Sequence, residues 1–217
     1  MTRSFPMRLM KSLFAVLFLV LATAAGAAEL MEGKDYTVLN PPQSTESPGK
    51  VEVSEFFWYG CPHCFHFEGA LNQWLKTLPK DVSFRRVPGA AKPWMPGAKL
   101  FYALEAMGLE DKLHAQIFSA IHESRDLHPI KEEGFPEWLA KKGVDTKKFS
   151  DTYSSFAIQS KVQRAMQLNA GHRIDAVPAI VINGRYRIVD PAEMTPEKFM
   201  AVANALVAKA RAEQGRK

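Results

Sequence analysis

The chain has 217 residues, 47% of them hydrophobic and 24% charged, with a formal net charge of +5. That length suits one domain with a sizeable core, or one domain carrying an insertion. Arg3, Arg8 and Lys11 precede the first acid, Glu29, so losing the N-terminal segment leaves +2, and no Lys/Arg block remains to argue for nucleic acid.

The chain opens as a secretory leader: three early cations, an apolar run from Leu13 to Leu21, then small residues ending Ala25-Gly26-Ala27. The run is too short for a membrane span, which needs roughly 20 apolar residues. Residues 1–27 are therefore expected to be removed, leaving one exported domain over 28–217. The stretch NPPQSTESPGK (40–50) reads as a polar, Pro-rich lead-in.

KVEVSEFFWY (50–59) is β-branched and aromatic and predicts a buried strand, punctuated by Gly60. Pro62 suits a first helical position. Phe67, Ala70, Leu71, Trp74, Leu75 and Leu78 then repeat on one helical face, predicting a helix over 62–78 that stops before Pro79. Beyond it the apolar spacing predicts a series of helices: Leu100 to Met107, Leu113 to Ile121, PEWLAKKG (136–143), one around Phe149 and Tyr153, and one from Ile158 to Gly171. DAVPAIVINGRYRIV (175–189) predicts a hairpin turning at Asn183-Gly184. Thr195-Pro196 then caps a last helix over 196–212.

Both cysteines of the chain, Cys61 and Cys64, fall at the strand-to-helix junction within YGCPHCFHF (59–67). A disulfide there closes only a four-residue loop, worth about 2 kcal/mol in the chain-entropy picture, which makes a poor staple. Structural zinc usually draws a second ligand pair from a distant segment, and no such pair accompanies Cys61, His63, Cys64 and His66. A redox pair fits better. The free N–H groups and dipole of a helix start favour an anion, so Cys61 is expected to have a depressed pKa. His63, between the cysteines, can add a hydrogen bond or positive charge, and Cys64 lies one turn in, toward the buried stripe.

Together, EFFWYGCPHCFHFE (55–68) and VPAIVINGRY (177–186) resemble the DsbA family of the thioredoxin superfamily, and the resemblance runs from about residue 30 to 210. It implies an α/β thioredoxin fold, with a core at about 50–90 and 172–214 that includes a strand over 82–87, and a helical domain inserted at about 94–170. It implies a periplasmic thiol:disulfide oxidoreductase with Cys61-Pro62-His63-Cys64 as its redox motif. Val177-Pro178 would be cis and close to Cys61, although X-Pro base rates alone favour trans. Glu55, inside the first strand, would be the buried acid that accepts protons from Cys64. The implied partners are unfolded exported proteins and a DsbB-type, quinone-linked membrane oxidase. A monomer with no bound cofactor or metal is expected. An isomerase or reductase of the same fold and a periplasmic metal-binding chaperone stand as alternatives. His66, His114, His122, His128 and His172 show no organising spacing and read as surface or packing residues. Trp94-Met95, between Pro93 and Pro96, reads as core packing ahead of an exposed substrate-holding rim.

Overall fold

A computed structural model describes residues 30–215; the expected leader lies outside them. Five strands, β1 (Tyr36–Val38), β2 (Val51–Phe57), β3 (Val82–Pro88), β4 (Ala179–Ile182) and β5 (Tyr186–Ile188), form one sheet in the order β1-β5-β4-β2-β3. Only β2 and β3 run parallel. Helix α1 (Pro62–Leu75) makes the crossover between them, as a parallel pair requires. Five helices intervene between β3 and β4: α2 (Met95–Ala106), α3 (Glu110–His122), α4 (Phe135–Lys141), α5 (Thr146–Tyr153) and α6 (Phe156–Gly171). Helix α7 (Pro196–Gln214) closes the described chain. This is the α/β sheet with inserted helices that the resemblance implied.

β2 is the centre of the molecule. Flanked by β3 and β4 and covered on both faces, it is buried at all seven positions, polar Glu52, Ser54 and Glu55 included. α7 packs against β2, β4 and β5, and its Phe199 sits edge-on to Phe67 and Trp74 of α1. α3 reaches back to α1, and α6 to β3, so the inserted helices contact the sheet and its crossover helix.

Most predicted elements are present, with informative differences. α1 ends three residues earlier than its apolar stripe suggests, where the Thr77 hydroxyl takes the Trp74 carbonyl and the backbone tightens. β1 has no strong sequence signal. Its three residues pair antiparallel with the edge of β5, Tyr36 opposite Ile188 and Val38 opposite Tyr186. At the hairpin, Asn183 and Gly184 both take positive φ, as a type I′ turn demands, and Arg185 closes it onto the Ile182 carbonyl. The Gly184 carbonyl accepts from the Gln43 N–H at 2.8 Å, tying the Pro-rich lead-in to the turn.

A Cβ at Gly184 would run into the Gln43 carbonyl, and the position already needs left-handed backbone. Gly184→Ala is expected to lower stability by about 1–3 kcal/mol in denaturant unfolding, while leaving the thiol redox equilibrium unchanged. An unchanged unfolding midpoint would contradict this account of the turn.

Candidate active site

The two cysteines occupy different electrostatic environments one helical turn apart. Cys61 is the N-cap of α1, with extended backbone (φ −87°, ψ 116°), and Pro62 fills the first helical position. Its Sγ accepts from the Cys64 N–H at 3.4 Å, doing with sulfur what a serine oxygen does at an ordinary cap. As a thiol it donates to the Val177 carbonyl at 3.3 Å. Both cysteines are free thiols; Cys61 is 7% exposed, and Cys64 is fully buried.

These surroundings drive the two pKa values apart. Cys61 is lowered to about 6, first by the Cys64 thiol, then by the Cys64 and His63 backbone N–H groups and least by the His63 ring, all against the cost of burial. Cys64 is pushed far up, first by burial, then by its neighbour's sulfur, with a contribution from Glu55. The helix start acts on Cys61 as expected, but the partner thiol outranks His63. The His63 side chain is 65% exposed and lies 3.8 Å from Glu193.

The other expected site residues fall into two places. Val177–Pro178 is cis, with Pro178 buried and the Val177 carbonyl against Cys61. Glu55 is wholly buried on β2, opposite Arg86 of β3, with Oε2 3.0 Å from the guanidinium Nε but off its N–H direction, so that neither carboxylate oxygen has a hydrogen-bond partner. Burial raises Glu55 to about 8; the Glu68 charge adds to this and Arg86 opposes it.

Around Glu55 lies a polar cluster that the sequence did not announce. Arg86 also faces Glu68 of α1 at 3.4 Å and Glu110 of α3 at 3.6 Å. His114 of α3 approaches Glu68 through Nε2 at 3.5 Å and Glu110 through Nδ1 at 3.3 Å, and the Tyr59 hydroxyl lies 3.0 Å from Nδ1. His114 is therefore no surface residue. It is 4% exposed, in an aromatic nest of Phe57, Phe101 and Phe118. Two faint signals existed: Glu68 interrupts the apolar stripe of α1, and Glu110 and His114 form an i, i+4 acid–imidazole pair. His172 is buried against Phe56, a packing role as expected. His122 Nε2 donates to the Tyr59 carbonyl at 2.8 Å, and its ring stacks on Phe65. His66 and His128 are exposed.

Trp94 is half-buried and stacks on Trp58 at 4.7 Å and 12°, lining a groove of about 210 Å³ with Ala90, Met166, Asn169 and Val177. Trp94 belongs to a rim beside the site, while Met95 packs against the core as expected. Among the described residues, no three His, Cys, Asp or Glu side chains are disposed to hold a metal, and no helix is long and apolar enough to cross a membrane.

Residues 46–205 match a family model described as Thioredoxin. The sequence is 42% identical over 185 residues to the thiol:disulfide interchange protein DsbA of Burkholderia cepacia, covering 82% of this chain and 87% of that one. It is 38% identical over 208 residues to the protein of the same name from Pseudomonas aeruginosa, covering 94% and 98%. A crystal structure of Pseudomonas aeruginosa DsbA superposes with a TM-score of 0.80 at 38% identity, over 86% of this chain and 97% of that one. The oxidoreductase NmDsbA1 from Neisseria meningitidis gives 0.76 at 31% identity, over 87% and 97%.

Two outcomes follow from the cysteine geometry. Limiting alkylation of the reduced protein should label Cys61; predominant labelling of Cys64 would contradict the helix-cap arrangement. The second concerns stability. An acid whose folded pKa is lowered stabilises the fold fully above its unfolded pKa, and the effect is lost as pH falls through the folded value. For Cys61 that window runs from about 8.5 down to about 6. It amounts to about 3 kcal/mol at its top and about 1.4 kcal/mol at pH 7. The disulfide's small loop offers about 2 kcal/mol in return. Reduced and oxidised forms should therefore be near parity at pH 7, the reduced form more stable at pH 8.5 and the oxidised form more stable at pH 5. Denaturant unfolding of both forms at these three pH values checks it; a gap independent of pH would rule out thiolate stabilisation.

Proposed function

The chain belongs to the DsbA family of thiol:disulfide interchange proteins and is a thiol:disulfide oxidoreductase, and on that premise we propose that it is the oxidant of exported proteins in the periplasm, donating its Cys61–Cys64 disulfide. The observation that carries this reading is the divergence of the two sulfurs. Cys61 is stabilised as a thiolate at the cap of α1, while burial makes Cys64 a poor one. A stabilised thiolate favours the dithiol form, and a favoured dithiol form makes the disulfide oxidising.

The exchange begins when a client thiolate attacks Cys61 Sγ. The Cys61–Cys64 bond breaks, and its electron pair goes to Cys64, which takes up a proton because a buried thiolate is costly there. A second client thiolate then attacks the client sulfur of the mixed disulfide and expels Cys61 as its stabilised thiolate. The client gains a disulfide, and this chain leaves with two electrons as a dithiol. The electrons move between sulfurs, so the exchange needs no cofactor bound to the chain.

In this reading Pro62 starts α1 so that its N–H groups converge on Cys61, and His63 contributes its N–H and ring charge. Val177 and Pro178 present the backbone beside the reacting sulfur. Glu55, which holds a proton up to about 8, supplies it to Cys64 and takes it back on reoxidation. A DsbB-type, quinone-linked membrane oxidase restores the disulfide.

The decisive measurement is the equilibrium of the Cys61–Cys64 couple against glutathione. An oxidising couple is expected, with the dithiol favoured far beyond that of thioredoxin, whose potential is about −270 mV. A value at or below that of thioredoxin would make the chain a reductase.

A further inference from the structure

If Glu55 carries the Cys64 proton, something must keep that proton on Glu55 and not on a neighbour. Three carboxylates, Glu55, Glu68 and Glu110, share the single guanidinium of Arg86. Their side chains are 0%, 10% and 15% exposed. One fixed cation in so dry a place balances about one carboxylate, so the location of the negative charge depends on the remaining donors. Glu55 has none besides Arg86. Glu68 Oε2 accepts from Asn72 at 2.9 Å and from Arg86 at 3.4 Å. Its Oε1 has no hydrogen-bond partner and faces His114 Nε2, which has none either, across 3.5 Å.

The neighbours of His114 fix which nitrogen carries hydrogen. The Tyr59 phenol, whose pKa is pushed well above 10 by burial, keeps its proton and lies 3.0 Å from Nδ1. Donating there, it would leave the N–H on Nε2, the nitrogen that faces Glu68 Oε1 across 3.5 Å. The other tautomer would set a lone pair against the Glu68 carboxylate. Burial also lowers the His114 pKa, so the ring is neutral at pH 7. Glu110, raised to about 7 by burial, is the second group on Nδ1, with Asp111 on the same helix adding to that rise. Burial opposes a charge on Glu68, but His114, Arg86 and Asn72 outweigh it and hold its pKa below the usual range.

We propose that His114 is a positioning residue for the Cys64 proton: as the neutral Nε2–H tautomer it holds negative charge on Glu68, and that charge keeps the proton on Glu55. The inserted helices thus complete the redox site. When Cys64 leaves as a thiolate, Glu55 passes it one proton and becomes a carboxylate, and the reverse transfer accompanies reoxidation. This rests on the reading of Glu55 as the proton carrier.

Carboxyl ¹³C NMR of the reduced full-length domain, assigned with Glu55→Gln, reads the Glu55 midpoint directly. The expected midpoint is about 8 in the wild type. In His114→Phe it should fall by about one unit, because Glu68 loses its donor and its charge. His114→Gln should restore it, since an amide donates to Glu68 and accepts from Tyr59. A Glu55 midpoint that is high in the wild type but unmoved in His114→Phe overturns the role of His114 alone. An ordinary carboxylate midpoint in the wild type overturns the reading of Glu55 beneath it. Imidazole ¹⁵N shifts of the wild type give a test that needs no variant to fold: a neutral Nε2–H ring at pH 7 supports the proposal, and an Nδ1–H tautomer or an imidazolium defeats it.

Discussion

The hydrogen bond from the Cys64 N–H to the Cys61 sulfur organises the active end of the molecule. It caps α1 and so fixes where the helix begins; it also spends one of the free N–H groups of that helix start on the atom that must bear charge. The same turn that offers Cys61 these donors carries Cys64 down into the buried stripe with Phe67 and Leu71. One local geometry therefore produces opposite shifts in two chemically identical groups. The turn from Trp58 to Cys61, closed by the Cys61 N–H on the Trp58 carbonyl at 2.9 Å, sets the helix in place.

β2 carries two buried acids, and their contrast separates structural from chemical burial. Glu52 is satisfied: it accepts from the Glu46 N–H at 2.7 Å and the Ser54 hydroxyl at 3.1 Å, and Arg85 lies 3.3 Å away. Glu55, three residues on, has a guanidinium nearby but no bond along an N–H direction. An acid left so incompletely paired costs free energy as a charge and much less as a neutral carboxyl. The fold tolerates Glu55 because it can hold a proton, and that tolerance makes it useful beside a sulfur whose proton must come and go.

Elements with strong periodicity were legible in the sequence: the run 50–59, the stripe through Phe67, Leu71 and Trp74, and the Asn183-Gly184 turn each correspond to a structural element. β1 was not, because a three-residue edge strand depends on β5 more than on its own residues. Cys61 and Cys64 were legible from their spacing and the helix start. The cluster around Arg86 was not: its members come from β2, α1, β3 and α3, and only tertiary packing brings Tyr59 and His114, 55 residues apart, into contact. His63 was weighted by its place between the cysteines, yet its ring points out toward Glu193 and its backbone N–H does more than its charge.

The Trp58–Trp94 stack joins two parts of the chain that fold from different segments. Trp58 follows the strand that delivers Cys61; Trp94 begins the inserted helices, and Gly89 leaves room for its ring where a Cβ would collide with it. Two indoles lying nearly parallel with centroids 4.7 Å apart couple their strong electronic transitions, and a coupled pair adds an exciton couplet to the far-ultraviolet circular dichroism that a separated pair lacks. The molecule thus carries an intrinsic optical gauge of how closely the inserted helices are seated beside the redox centre, one that needs no label and responds to separations far smaller than those a fluorescence-transfer dye pair resolves.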